Sequence, residues 1–458
     1  MFSYIPYIGI MIVAERKRDM NCLHVPKILM PREGMDLYKW SVIACDQYTS
    51  QPEYWKKAEE IVGDVPSTLK LTLPEVYLES DKEEKRVLAI HQNMKEYLES
   101  GMLKEMPAGF VLTKRSFGKE HSRYGLVVEV DLETYEYKKG EHSLVRPTEM
   151  TVEERIPPRL RVRQQALIEL PHIMLLIDDP EKSVIEPLVE RADSFEQIYD
   201  TDLMLNGGHI SGWMIPEGKE TDAIMNKVEM LAEPEVFRRR YGLKEEYPLL
   251  NFAVGDGNHS MATAKAAWEA MKENLTEEER KTHPARYCLC EIVNIHDESL
   301  LVEPIHRVLF GVEKEEFFAA AKMYYEGKGC RIEITQQDEV VPYASEQEHC
   351  FAYCDKDGKG MFKVYKPIWG IAVASLQTFL DAYLAEHKET KIDYIHGVDV
   401  VEQLGTQEGN MGFLLPEIYK EDLFRGVITD GVLPRKTFSM GEANEKRYYM
   451  EGKVIRKL

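Results

Sequence analysis

Residues 249–269 read Leu-Leu-Asn-Phe-Ala-Val-Gly-Asp-Gly-Asn-His-Ser-Met-Ala-Thr-Ala-Lys-Ala-Ala-Trp-Glu. Leu249, Leu250, Phe252 and Val254 form an apolar run of strand length, and from Asn258 the sequence becomes Ala-rich with helical propensity. The expected order is strand, tight turn, helix, with the bend at Gly255-Asp256-Gly257. Two glycines permit positive φ and the close approach of a ligand, while the first helical N–H groups have no partner in their own helix. Such a bend suits an anion. Asp256, Asn258 and His259 add a carboxylate, an amide and an imidazole, which a turn built only for packing does not need. The competing reading is ordinary: Asp and Asn are common N-caps, and His259 is then a plain surface or core histidine.

The 458 residues allow two or three domains, and 44% hydrophobic with 10% aromatic content supports globular cores. A net charge of −21 argues against duplex DNA or an anionic membrane as partner, because both need clustered Lys and Arg. A local positive pocket for an anionic small molecule remains compatible with it. Seven cysteines are odd in number and sparse for this length, which points to reduced thiols in a cytoplasm rather than a disulfide scaffold. Cys288-x-Cys290 lacks the spacer of a structural zinc pair and reads as buried thiols on one strand face. Residues 2–14 are apolar but too short to span a bilayer, and Arg16, Lys17 and Arg18 follow them, the reverse of a secretory signal. Residues 1–20 are therefore expected to be a disordered extension, or an artefact of start-codon choice with Met20 as the natural start; N-terminal sequencing of the native protein decides between them.

Periodicity places helices at 80–101, where Ser80 and Glu83 have capping-box spacing, at 181–192, as one or two helices over 219–241, and at 314–327 and 371–387. Strands are expected at 110–117, 124–137, 172–177, 208–215, 287–295 and 331–335, with a hairpin over 349–366 turning at Asp355-Lys356-Asp357-Gly358 and a mobile loop over 336–348. Residues 37–48 contain a short strand-like run. Asp178-Asp179-Pro180 reads as turn chemistry. Arg155, Arg159, Arg161 and Arg163 form the dense basic run of the chain, suited either to gripping an anion or to an exposed strand or amphipathic edge.

The turn Asp256-Gly257-Asn258-His259-Ser260 resembles the Asp-Gly-His-His-Arg turn of the DUF1015 family of uncharacterised bacterial proteins. That family is similar at this turn to the ParB/sulfiredoxin-like group, which includes free-serine kinases. The Asp, the Gly and the second His match, whereas Asn258 and Ser260 replace a His and the Arg expected to grip a phosphate. Further segments carry the resemblance: Thr148-Glu149-Met150-Thr151 with Arg155, the Pro304-Ile305-His306-Arg307 run, Tyr394-Ile395-His396-Gly397, and Leu433-Pro434-Arg435-Lys436. An early segment ending in an Asp-containing turn makes Asp46 a second contributor, unless it caps the helix starting near Pro52. The resemblance implies a mixed α/β fold: a ParB/sulfiredoxin-like core over 21–312, elaborated with extra strands and helices, and a C-terminal α+β region over 313–458.

What the resemblance implies about activity is a cytoplasmic enzyme that binds a nucleotide or other phosphate-bearing ligand at Gly255–Ser260 and passes a phosphoryl group to a small hydroxyl compound. Glu149 or Asp256 would act as general base, while Gly257, Asn258, His259, Ser260, Arg155, His306, Arg307, His396 and Lys436 would hold the ligand. ATP or ADP would arrive with Mg²⁺, held by Asp46 and Asp256. Two parallel strands flanking the central helix would bring the turn together with His306 and Arg307, so that Arg307 supplies the cation that Ser260 lacks. No Walker-type loop is present in the sequence. The alternative is a ligand-sensing or assembly module that keeps the pocket without chemistry. A hydrolytic role for Ser260 with His259 meets the difficulty that neighbouring helical residues point about 100° apart.

Overall fold

In the computed structural model the described residues are 22–118, 121–138, 140–151, 153–243, 247–429, 431–434 and 436–456. The expected extension at 1–20 lies outside them. The chain is mixed α/β and divides into two compact units, one drawn from Met1–Pro147, Thr151–Leu300 and Glu442–Leu458, the other from Thr148–Met150 and Leu301–Gly441. The sequence suggested a single boundary at 312/313. The last segment instead belongs to the first unit, because the side chains of Arg447 and Tyr449 are bound into its interior.

The first unit is built on a nine-stranded sheet. Its strands are β1 (Leu23–His24), β2 (Gly109–Phe117), β3 (His121–Asp131), β4 (Val145–Pro147), β5 (Met174–Ile177), β6 (Glu196–Leu203), β7 (Gly208–Pro216), β8 (Phe252–Asp256) and β9 (Tyr287–Asn294). The order is β4-β8-β5-β9-β3-β2-β7-β6, with β1 paired to β3. Its longer helices are α1 (Pro52–Val62), α2 (Glu83–Glu99), α3 (Ile156–Arg163), α4 (Lys219–Leu231), α5 (Pro234–Tyr241) and α6 (Asn258–Lys272). Strands β5 and β9 are buried almost throughout, which explains their unbroken apolar reading. Glu291 of β9 is a buried exception. It reaches across Gly125 of β3 so closely that a Cβ there would stand 2.3 Å from the Glu291 Oε1.

β8 runs antiparallel to β5, and β9 runs parallel to β5. The two strands flanking α6 are therefore antiparallel to each other with β5 between them, which corrects the expected parallel pair. The basic run also differs from the strand alternative: Pro157 and Pro158 sit in the first turn of a helix, α3, where a missing N–H costs nothing. Its arginines are spent on carboxylates, Arg159 on Glu75, Arg161 on Glu83 at 2.6 Å and Arg163 on Glu169.

Helix α2 starts at Glu83 without a side-chain cap, because the Glu83 carboxylate accepts from Glu79 N at 2.5 Å and Ser80 Oγ donates to Tyr77 O. The helix expected over 181–192 shrinks to Glu186–Val189, since the Asp179 carboxylate accepts from Ser183 N and Val184 N and fixes a turn there. The strand-like run at 37–48 becomes a short helix, Leu37–Trp40, followed by an isolated bridge from Ile43 to Tyr448.

The second unit carries a seven-stranded sheet. Its main strands are β10 (His306–Phe310), β11 (Arg331–Gln336), β12 (Glu348–Asp355), β13 (Gly358–Tyr365), β14 (Lys391–Ile395) and β15 (Asn410–Leu414), in the order β11-β13-β12-β15-β10-β14. A two-residue strand, Tyr343–Ala344, lies within the stretch expected to be loop and pairs with β12. Helices α7 (Lys314–Gly327) and α8 (Ala372–Glu386) pack together through aromatic rings, Phe317 lying 5.2 Å from Phe379 and 5.0 Å from Tyr383. Among the described residues no helix is long and apolar enough to cross a membrane.

Candidate functional site

β8 ends at Asp256, Gly257 takes a left-handed backbone at φ +81°, and α6 begins at Asn258. Glycine is required here twice over. Any Cβ would meet Ile173 Cα at 3.1 Å, and the backbone angle disfavours other residues. Gly257→Ala is expected to cost about 1–3 kcal/mol, read as a lower urea midpoint; an unchanged midpoint would show that the bend relaxes freely.

The carboxylate of Asp256 is committed at both oxygens: Oδ1 accepts from Gly257 N at 3.0 Å, and Oδ2 lies 3.3 Å from Lys446 Nζ. Both side chains are largely sheltered, with 22% and 13% of their surface exposed, so this ion pair is screened less than a surface pair. The side-chain oxygen of Asn258 is buried with no hydrogen-bond partner. Buried amides are normally satisfied, and among the described residues this one is an exception. His259 is half-exposed, and its carbonyl accepts from Thr263 Oγ1 at 2.7 Å.

Ser260, the third residue of α6, points to a histidine other than its neighbour. Its Oγ is 2.7 Å from His172 Nε2, and His172 Nδ1 is 2.9 Å from Tyr449 Oη. The Asp46 Oδ2 lies 3.6 Å from the same Nε2. Asp46 is not a cap for α1, whose N-cap is Gln51 without a side-chain bond, so that competing reading is removed. Tyr449 Oη accepts from Cys45 N at 3.1 Å, and burial, with Cys45 and Asp46 beside it, holds the phenol well above its ordinary range. Ser260, His172, Tyr449 and Cys45 form one wall of a cavity of about 140 Å³ whose other walls include Leu71, Leu73, Met94, Val162 and Leu170.

Arg155 is exposed, its carbonyl accepting from Arg159. Glu149, His306, Arg307, His396 and Lys436 belong to the second unit. There they share one neighbourhood: Glu149 Oε1 accepts from Thr437 N at 3.1 Å, and Arg307 donates to Lys436 O at 3.0 Å. Burial raises the Glu149 carboxyl, offset in part by bonds from the Lys436 and Thr437 amides and by the charges of Lys436 and Arg307. Arg307 is not a free cation. It is fully buried, and its donors go to Gln377 Oε1, Ile305 O and Lys436 O. Burial, with Arg307 and His396 nearby, lowers His306 to about 4, and its Nδ1 accepts from Leu415 N. His396 and Lys436 are exposed, Lys436 at φ +58°.

Within the first unit the cation beside the turn is Lys446. His172, Lys446 and Tyr449 were not read from the sequence. Among the described residues no group of three or more His, Cys, Asp or Glu converges as a metal cage. The seven cysteines are free thiols, six of them buried, and burial raises Cys22 to about 12 and Cys354 to about 11.

No curated protein matches the chain. Among solved structures it is similar to a conserved hypothetical protein from Pyrococcus furiosus, at 13% identity over 69% of this chain and 90% of that one, with a TM-score of 0.34. It is also similar to a mutant free serine kinase in complex with ADP, at 11% identity over 72% of this chain and 92% of that one, with a TM-score of 0.38. A third is SbnI with a C-terminal truncation from Staphylococcus aureus, at 8% identity over 69% of this chain and 82% of that one, with a TM-score of 0.34. The profile of DUF1015, proteins of unknown function, matches residues 29–383, and the chain belongs to that family.

Proposed function

We propose that the protein is an enzyme acting on a phosphate-bearing small molecule, a nucleotide above all, held at the turn of Gly255 to Ser260, and that it passes a phosphoryl group to a small hydroxyl compound. The observation that carries this reading is the sheltered Lys446–Asp256 pair at the start of α6. A helix of 15 residues presents its positive end there, and an ammonium stands beside it in a chain of net charge −21. The unpartnered Asn258 oxygen is an acceptor suited to a ligand hydroxyl. Asp256, whose Oδ2 faces the Lys446 ammonium, is the base for the acceptor's proton. Asp46 and Asp256 would be the carboxylates for a magnesium ion accompanying the phosphates, which would neutralise charge developing on the transferred group.

Thermal shift with ATP, ADP, CTP and GTP, with and without Mg²⁺, tests the reading. A ligand at about 100 times its dissociation constant stabilises by roughly 2.7 kcal/mol. Lys446→Ala is expected to weaken binding about tenfold, the loss of one charge-assisted bond. No shift with any of these ligands would sink the proposal. A shift without turnover, across a panel of small alcohols, would favour a sensing module instead.

A further inference from the structure

We propose that Ser260 is a nucleophile activated by His172, and that the adjoining cavity receives the acyl group of small, uncharged aliphatic esters. The proposal does not rest on the phosphate reading. It rests on the contact of Ser260 Oγ with His172 Nε2 at 2.7 Å, the orientation of His172 by Tyr449, and the cavity those three groups border. The difficulty with His259 does not apply, because the base comes from the chain just before β5 and not from the nucleophile's own helix.

The hydrogen-bond network permits the tautomer that the chemistry needs. Tyr449 Oη accepts from Cys45 N and interacts with the Cys45 thiol, which can take the phenolic hydrogen. Its remaining lone pair can then accept from His172 Nδ1, leaving Nε2 unprotonated and facing the Ser260 hydroxyl. Tyr449 is in this sense a positioning residue. Asp46 Oδ2 lies 3.6 Å from Nε2, the nitrogen that receives the proton.

Ser260 Oγ attacks the ester carbonyl, the Oγ–C bond forms, and the hydroxyl proton passes to His172 Nε2. The C–O bond to the alcohol breaks, and the alcohol leaves with that proton. Water then attacks the acyl-serine, gives a proton to Nε2, and releases the acid as Nε2 returns the proton to Ser260. Ser260 lies in the first turn of α6, where N–H groups have no intrahelical acceptor and the helix end is positive, and this favours the oxyanion.

The walls define the substrate. Leu71, Leu73, Met94, Val162 and Leu170 are aliphatic, and the charged groups on the lining are paired with each other, Glu75 with Arg159 and Glu169 with Arg163. A cavity of about 140 Å³ is close to the size that holds benzene in an engineered apolar cavity, which suits an acyl chain of about four to six carbons.

The test uses the full chain with p-nitrophenyl butyrate and a fluorophosphonate probe. One probe per chain is expected on the peptide carrying Ser260, together with turnover of the butyrate and none of the p-nitrophenyl hexadecanoate. Ser260→Ala should abolish both label and turnover, and His172→Gln should slow labelling about 100-fold. Tyr449→Phe keeps the buried ring and should lower kcat at least about tenfold with KM unchanged, a split that a collapsed pocket would not give. Folding of each variant is checked by its thermal midpoint. The proposal is overturned if folded wild type is neither labelled nor active, if label lands on another residue, or if Ser260→Ala retains activity. Nucleotide binding without esterase activity would remove this inference alone, and the converse would remove only the phosphate reading.

Discussion

Arg447→Met is expected to lower the unfolding free energy by about 3–5 kcal/mol, seen as a large drop in the urea midpoint at neutral pH. Arg447 is 2% exposed and donates to Glu291 Oε2 at 2.6 Å, to Glu451 Oε2 at 2.5 Å and to Pro171 O at 3.0 Å. Glu291 also accepts from Thr113 Oγ1 at 2.6 Å, and Glu451 accepts from the Tyr199 hydroxyl. Methionine fills much of the volume but leaves two buried carboxylates without their cation. Burial alone would raise the Glu291 carboxyl, but Arg447 and then Arg123 reverse this and hold it below its ordinary value. A depressed carboxylate contributes stability that is complete above its unfolded value, about 4.3, and is lost as pH falls through the folded value. The gap between wild type and Arg447→Met should accordingly narrow in acid. A substitution that leaves the neutral-pH midpoint within about 1 kcal/mol would show that the two carboxylates find other partners or protonate cheaply.

The same short segment explains why the site depends on this residue. Lys446 reaches Asp256, Arg447 fixes the carbonyl just before His172, and Tyr449 holds the His172 ring. Arg115, buried at 2% exposure, donates to the carbonyl of Asn444 at 3.2 Å, and Arg123, at 4%, to that of Glu445 at 3.2 Å. Two guanidinium groups thus hold the backbone that delivers the ammonium to the turn. Loss of Arg447 should weaken anion binding as well as stability.

Much of the scaffold was legible because its signals are local. The apolar run before Gly257, the helix after it, the strand over β9 and the hairpin of β12 and β13 each carry their periodicity or turn residues within a few positions. The mixed α/β class and the DUF1015 membership rest on such signals and hold. The candidate site was legible at the turn and at Asp46, which stands 3.6 Å from His172. Ser260 and His172 are 88 residues apart, and His172 and Tyr449 are 277 apart, so no spacing in the chain announces them. Lys446, Arg447, Tyr448 and Tyr449 read as an ordinary mixed run, because partners such as Asp256, Glu291 and His172 are distant in sequence. The strand order misled in the same way. A strand, helix, strand sequence suggests a parallel pair, but inserting β5 between β8 and β9 lets the chain return antiparallel and carries His306 and Arg307 into another sheet.

The second unit is expected to unfold as pH falls from about 6.5 toward 4, with His306 and His349 as its sensors. Burial lowers His349 to about 4, and burial followed by Arg307 and His396 lowers His306 to about 4. Both are neutral in the folded chain and bonded as such, His349 Nδ1 to Ser375 Oγ at 3.0 Å and His306 Nδ1 to Leu415 N at 3.1 Å. Between those pH values the unfolded chain binds more protons than the folded one, so stability is full above the unfolded value and falls as acid is added. Each depression corresponds to about 3 kcal/mol at its limit, large against the stability of a typical domain. Trp369 is the single tryptophan of residues 301–441, partly buried and stacked on Tyr324, so its fluorescence reports this unit when the other four tryptophans are replaced by Phe. Urea midpoints at pH 7 and pH 4.5 should differ strongly for the parent and much less for His349→Gln, which cannot titrate. Equal slopes in parent and variant would place the acid sensitivity elsewhere. A neutral His306 whose Nδ1 accepts from Leu415 N presents an Nε2–H donor and no positive charge at physiological pH, so it supplies no cation to a phosphate, whereas in the first unit Lys446 stands beside the turn.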